Sequence, residues 1–336
     1  MRAIIYERYG PPEVMRIARV PRPEPADDEV LIRVRAAEAT KADCELRSFR
    51  FAVSWFWLPL RAGMGVFRPR RKILGTYFAG EVVATGPGVT RLSVGDEVYG
   101  GLGLHMGAYG EYVAAPADAS IVAKPANMSF EEAAAVPLGG LNALHFLRLV
   151  GLRQGESVLV NGAGGSIGLH AVQIAKAIGA EVTAVDKTEK EAVVRRMGAD
   201  HFIDYTKQRF VEAGSTFDVV FDMVPNSDFS DCMRVLKENG RYCTGNPRLS
   251  VMLRCLWTSR FTDKTASFAF ARESLEELEA LRAMIEAGQI RSIVEEVVPM
   301  ERVAEAHRRV EDETRLGAIV ISTEAPPAVG SEQGGS

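Results

Sequence analysis

Ser157-Val-Leu-Val-Asn161-Gly-Ala-Gly-Gly-Ser-Ile-Gly168, followed by a helix-patterned run and then Glu181-Val-Thr-Ala-Val-Asp186, decides the architecture of this chain. It reads as strand, glycine-rich turn, helix and strand, with an acid at the tip of the second strand. That layout is a dinucleotide-binding βαβ unit. A tight turn of small residues lets backbone approach a diphosphate, and the helix that follows offers unpaired N–H groups and its positive dipole end. Any strand-to-helix turn can use glycine, so the weight lies in the context on both sides.

Working outward, strands and helices alternate on either side of this unit. Ser129-Phe-Glu-Glu132 is a capping-box pattern, Pro137 interrupts the helix it opens, and a second helix runs from about Asn142 to Val150. Strands are expected at 157–161, 181–185, 201–204, 219–222 and 241–244, with helices near 168–179, 188–197 and 227–238. This alternation predicts a doubly wound parallel sheet and an α/β class. The first 125 residues instead give short β runs at 30–36, 80–85 and 96–99 bounded by Gly, Pro and Asp, with no long helical period. An amphipathic helix at 273–288, a strand at 293–298, a helix at 301–310 and a strand at 317–322 close the ordered chain. Residues 324–336 are rich in Pro, Gly, Ser and Glu and are expected to be disordered.

At 336 residues the chain exceeds one ordinary core, so two domains are the prior. A hydrophobic share of 47% and a charged share of 25% are ordinary soluble composition. The net charge of −4 argues against nucleic acid as a partner. Cys44, Cys232, Cys243 and Cys255 are scattered, which suits reduced thiols better than a disulfide framework or a zinc knuckle. With no apolar signal core at the N-terminus and no membrane-length apolar run, a cytoplasmic protein is expected.

The chain resembles the medium-chain dehydrogenase/reductases, within them the zinc-independent quinone oxidoreductase-like (zeta-crystallin-like) branch. Gly75-Thr-Tyr-Phe-Ala-Gly80, Gly95-Asp-Glu-Val-Tyr-Gly100, Ala163-Gly-Gly-Ser-Ile-Gly168, Gly198-Ala-Asp-His201 and Asp204-Tyr-Thr206 carry the likeness. It implies a mainly β, GroES-like catalytic domain in 1–125, a Rossmann dinucleotide domain in 126–266 and a return to the catalytic domain in 267–323. A nicotinamide would lie in the cleft between them, and dimers are common in the family, leaving a homodimer open. Where zinc-dependent relatives hold the metal, this chain has Thr40, Thr76-Tyr77 and the apolar 136–138 segment; zinc needs three thiolate, imidazole or carboxylate ligands. No zinc is therefore expected. Hydride transfer without a Lewis acid is easiest to a quinone or an α,β-unsaturated carbonyl, which spreads the incoming charge.

Candidate residues follow. Ala163, Gly165 and Gly168 fill the three small positions of the fingerprint; Ser166 and Ile167 present backbone N–H groups to the diphosphate, above Asn161. Asp186 would accept from the ribose hydroxyls and favours NAD(H), whereas Lys190, where related reductases often hold the 2′-phosphate, keeps NADP(H) open. Tyr205 flanks the adenine, and Val224, Gly245 and Asn246 border the nicotinamide carboxamide. Of the catalytic candidates, Tyr77 is the first choice as proton donor and His105 the second, while Thr40 and Asp43 match the segment lining the family's substrate cleft. Turn chemistry, a solvated helix face or a core hydroxyl are the ordinary alternatives for each. Between 49 and 72, aromatic residues (Phe49, Trp55, Trp57) stand beside Arg61, Arg68, Arg70, Arg71 and Lys72. That segment suits a flap over a cleft for a small hydrophobic carbonyl or quinone; membrane contact is the lesser alternative.

Overall fold

The structure, a computed structural model, describes residues 1–51, 57–245, 247–269 and 274–324. In the strand Ser157–Asn161 the middle residues Val158, Leu159 and Val160 are fully buried, alternating between two cores on opposite faces of one sheet. A strand apolar on both faces belongs inside a parallel sheet covered by helices. Six parallel strands form that sheet in the order His201–Asp204, Glu181–Asp186, Ser157–Asn161, Phe217–Asp222, Leu236–Gly245 and Thr265–Ala269. Chain order reverses between Ser157–Asn161 and Phe217–Asp222, which opens a crevice at the carboxyl edge of the sheet. The sixth strand ends at Ala269, past the expected boundary at residue 266.

A second, seven-stranded sheet is built around the long strand Glu29–Glu38. Tyr77–Thr85 pairs it antiparallel on one side, and Ala318–Ser322 and Tyr112–Pro116 also pair with it. Val294–Pro299 runs parallel to Ala318–Ser322, so the end of the chain joins the sheet made by its beginning. The molecule therefore combines a doubly wound parallel sheet with a mainly β unit. One apolar core holds residues of both: Ala36, Ala79 and Val320 join Val158, Leu144 and Leu281.

The elements depart from expectation in instructive places. Pro137 does not interrupt a helix; it opens Pro137–Leu149 at the first helical position, where its missing N–H costs nothing. Helices Lys41–Ser48, Trp57–Met64 and Leu249–Phe261 and the strand Thr265–Ala269 are not among the elements expected from sequence. All four cysteines are free and buried. Among the described residues no helix is long and apolar enough to cross a membrane. The expectation for the tail falls, beyond Glu324, outside the described residues, as do Trp55 and Asn246.

Candidate functional site

The glycine loop forms a cradle because side chains are excluded where backbone must pass. Gly162 holds φ +83, a left-handed conformation natural to glycine. A Cβ on Gly168 would lie 2.2 Å from the Gly162 carbonyl oxygen and 2.6 Å from the Ala163 Cα, so helix and strand meet only through glycine. Above Gly165 a Cβ would meet nothing closer than 3.6 Å, leaving the approach to the helix start open. Gly165 caps helix Ser166–Ile178 with no side-chain hydrogen bond, and the first-turn N–H groups of Ser166, Ile167 and Gly168 have no intrahelical carbonyl. Unpaired N–H groups at an open helix start are the kind of feature that attracts an anion.

At the tip of Glu181–Asp186, the Asp186 carboxylate accepts from Gly164 N–H at 2.7 Å and Lys187 N–H at 2.8 Å. It ties the loop to the neighbouring strand, a task beyond the ribose role expected for it. Lys190 Nζ lies 4.0 Å from it, and a Cβ on Gly164 would collide with the Lys190 stem at 2.4 Å. Tyr205 donates its backbone N–H to the Asp186 carbonyl at 3.3 Å and leaves its ring half in solvent, beside the acid.

The crevice itself is bridged by side chains. Asn161 Nδ2 donates to Asp222 Oδ1 at 2.9 Å, joining the two strands where the chain order reverses. Tyr242 OH donates to the other oxygen at 3.0 Å, and Val224 N–H to Oδ1 at 3.2 Å. Burial raises Asp222 above the usual carboxylate range, although these donors oppose the shift. Val224 packs near Gly162, and Gly245 ends its strand against Met223 and Phe146. The expected cofactor residues thus line one edge, except Asn246, which is outside the described residues.

The catalytic candidates separate. Thr40 and Asp43 are fully buried and form a reciprocal cap on helix Lys41–Ser48. Thr40 Oγ1 donates to Asp43 at 2.6 Å and accepts from its backbone N–H at 3.0 Å, while Asp43 also accepts from Gly75 N–H at 3.1 Å. Burial pushes Asp43 up to about 6. Behind it, His307 Nδ1 lies 2.9 Å from Arg47 Nη1; because arginine only donates, Nδ1 accepts and Nε2 carries the proton towards Tyr109 OH at 3.0 Å. Burial holds His307 down to about 3, so it stays neutral. This network packs helix Val303–Glu311 against helix Lys41–Ser48, a holding role for the expected cleft residues Thr40 and Asp43. His105 is exposed at the end of a one-turn helix. Tyr77, half-buried, begins its strand between Gly101 and the end of Glu29–Glu38.

Two residues went unnoticed in the sequence. Glu38, the last residue of its strand, is fully buried with neither carboxyl oxygen hydrogen-bonded, and the Arg315 guanidinium is 3.8 Å away. An acid in the otherwise apolar tail of that strand is the only local signal. Lys41 pairs with Glu313, whose carboxylate also feels the positive charges of Lys190 and Lys187 at longer range. The aromatic segment rests partly on its own domain: Arg61 stacks over Tyr9 and Phe49 at 3.9 and 4.3 Å, while Leu58 and Phe67 remain exposed. Among the described residues no group of three or more His, Cys, Asp or Glu converges as a metal holder.

Comparison with known proteins matches residues 26–126 to an alcohol dehydrogenase GroES-like domain and residues 197–321 to a zinc-binding dehydrogenase model. A 2-methylene-furan-3-one reductase of Solanum lycopersicum is 31% identical over 96% of this chain and 79% of its own. An NADPH-dependent alkenal/one oxidoreductase (chloroplastic) of Arabidopsis thaliana is likewise 31% identical, over 96% of this chain and 79% of its own. Among solved structures, a quinone oxidoreductase from Coxiella burnetii aligns with a TM-score of 0.85 at 27% identity, covering 96% of this chain and 99% of the other.

Proposed function

Because the chain belongs to the medium-chain dehydrogenase/reductase superfamily, we propose that it is an oxidoreductase that reduces quinones or α,β-unsaturated carbonyl compounds with a reduced nicotinamide coenzyme, without metal. The observation that carries this reading is the open cradle over Gly165, walled by Gly162 and Gly168 and faced by first-turn N–H groups, at the point where strand order reverses. A bound reduced nicotinamide would supply hydride there. The chain's own part is to hold it, exclude water and stabilise charge on the acceptor oxygen. The donor set argues for metal-free chemistry: Thr40, Thr76, Tyr77 and Leu138 offer hydroxyls and an alkyl chain where zinc needs thiolate, imidazole or carboxylate. Tyr77 is the candidate donor near the acceptor oxygen.

For the coenzyme, Asp186 favours an unphosphorylated ribose, because its carboxylate is fixed at the strand tip with lone pairs to spare and would repel a 2′-phosphate. Lys190, at 4.0 Å from it, favours the second reading, NADP(H). Mixing purified protein with NADH or NADPH and a panel of quinones, enones and alcohols, and following the reduced-nicotinamide absorbance, tests the proposal. Turnover confined to quinones and enones supports it; turnover of alcohols alone, or stoichiometric zinc, sinks it. Asp186→Ser should shift the NADPH/NADH ratio of kcat/KM upward by about tenfold, ~1.4 kcal/mol. An unchanged ratio removes Asp186 as the selector.

A further inference from the structure

Glu38 is fully buried with no hydrogen bond to either carboxyl oxygen and only the Arg315 ion pair at 3.8 Å. A carboxyl group buried without hydrogen bonds forfeits the partners it had in water, so an acid placed this way needs a reason. Its neighbours supply one. The pairs Ala36↔Ala79 and Ala37↔Phe78 put Glu38 opposite Tyr77 on the adjoining strand, both side chains on the sheet face that carries Ala36 and Ala79 into the shared core. Directly opposed residues on one face have Cβ atoms about 5 Å apart. On its other side Glu38 pairs with Val320, which offers no polar group.

We infer that Glu38 is the internal acid of this reductase, passing a proton to Tyr77 as Tyr77 protonates the reduced acceptor. The inference rests on the hydride-transfer reading above. When hydride adds to the β-carbon of an enone, the C=C electron pair moves to the carbonyl oxygen and leaves an enolate. The Tyr77 O–H bond breaks and its proton goes to that enolate; the Glu38 O–H bond breaks and its proton restores Tyr77. Glu38 is left as a carboxylate, stabilised by Arg315 at 3.8 Å, and takes a proton from water when product leaves. Two electrons and one hydrogen pass from the coenzyme, which is oxidised, and one proton comes from solvent through the pair. Hydrogen bonds of this kind are often long in an unliganded enzyme and close in the complex.

The local charges suit the role. Burial pushes the Glu38 carboxyl up to about 8, with Arg315 opposing and Asp43 adding to the shift. At neutral pH it therefore carries its proton, as a donor must. Among the described residues, Tyr77 stands opposite on the next strand, and Tyr109 feels the Glu38 charge. Helix Phe130–Ala134 packs its buried Ala133 and Ala134 inward and keeps Glu132 exposed, while Ala318–Ser322 brings no ionisable side chain.

Glu38→Gln keeps the shape and removes the titrating proton. The variant should bind NADH or NADPH like the parent by fluorescence quenching, lose about 10²-fold in kcat with little change in KM for the acceptor, and lose the alkaline fall of kcat near pH 8. Glu38→Asp should keep that fall at reduced kcat. Infrared difference spectra of the coenzyme-free proteins at neutral pH should show a protonated-carboxyl carbonyl band that Glu38→Gln lacks. A Glu38→Gln enzyme with parental kcat and pH profile, or an unchanged carboxyl band, overturns the inference and leaves the reductase reading intact. A parent protein that binds coenzyme and reduces no acceptor overturns the reductase reading, and the relay with it.

Discussion

Single residues set what this site tolerates. At Gly168 a methyl group would fall 2.2 Å from a carbonyl oxygen, a gap that only backbone movement can open. Gly168→Ala should therefore cost about 1–3 kcal/mol in urea unfolding, the usual range for forced overpacking. It should also raise the coenzyme Kd by roughly tenfold, about 1.4 kcal/mol, since the displaced loop is the proposed diphosphate cradle. Parental affinity in that variant would show that the cradle lies elsewhere. Glu38 leads to a prediction of a different kind. Its carboxyl is raised in the folded protein from 4.5 to about 8, so folding favours the protonated form. The stability Glu38 contributes is present below pH 4.5 and is lost progressively as pH rises through 8. Glu38→Gln removes that slope: its Tm advantage over the parent should grow from acid to mildly alkaline pH. A Tm difference flat across that window would mean the acid titrates normally.

Among the elements, helix Lys41–Ser48 shows why part of the site is invisible in sequence. The strands at 157–161, 181–186 and 201–204 announce themselves as short apolar runs with glycine or acidic stops, because their partners are similar runs close along the chain. Helix Lys41–Ser48 is fixed instead by distant groups: the Gly75 backbone N–H and the side chains of Tyr109, His307 and Glu311 all meet its Asp43 or Arg47. The family resemblance makes Thr40 and Asp43 cleft residues, while groups that engage the Asp43 carboxylate lie far along the chain. Helix Leu249–Phe261 escapes for the opposite reason. Leu249, Leu253, Leu256 and Trp257 face outward, so its apolar residues do not mark a buried face. The glycine-rich turn at the carboxyl edge, by contrast, is legible because glycine spacing reports backbone geometry directly. Thr40→Ala isolates the cap. It removes both hydrogen bonds to Asp43 and should cost about 2 kcal/mol, a lost cap plus a less satisfied buried acid, read as a lower urea midpoint at unchanged m. A loss below 0.5 kcal/mol, in the range of ordinary surface substitutions, would mean the helix is held by its packing alone.

For the molecule as a whole, the decisive fact is the shared core. The nucleotide sheet and the β unit are not two globules joined by linkers: Ala36, Ala79, Tyr99 and Val320 of one pack in the same cluster as Val158, Leu144 and Phe146 of the other. Helix Leu275–Glu286 is the wedge. Leu278 and Leu281 are fully buried, Leu281 reaches within contact of Gly140 in helix Pro137–Leu149, and Tyr99 OH donates to the Leu278 carbonyl at 3.1 Å. A boundary this apolar resembles a domain interior more than a sliding interface, so the two halves should unfold together. Far-UV and near-UV circular dichroism are expected to report one coincident urea transition. Leu281→Ala removes the Cγ and both Cδ carbons from that wedge and should cost about 2–5 kcal/mol. If the halves are coupled, the substitution lowers both signals' midpoints together and weakens coenzyme binding as well, because the cleft walls are set by the same packing. Two separated transitions, with only one moved by Leu281→Ala, would show that the halves fold independently, and the seam between them would then have to be held by coenzyme rather than by the chain.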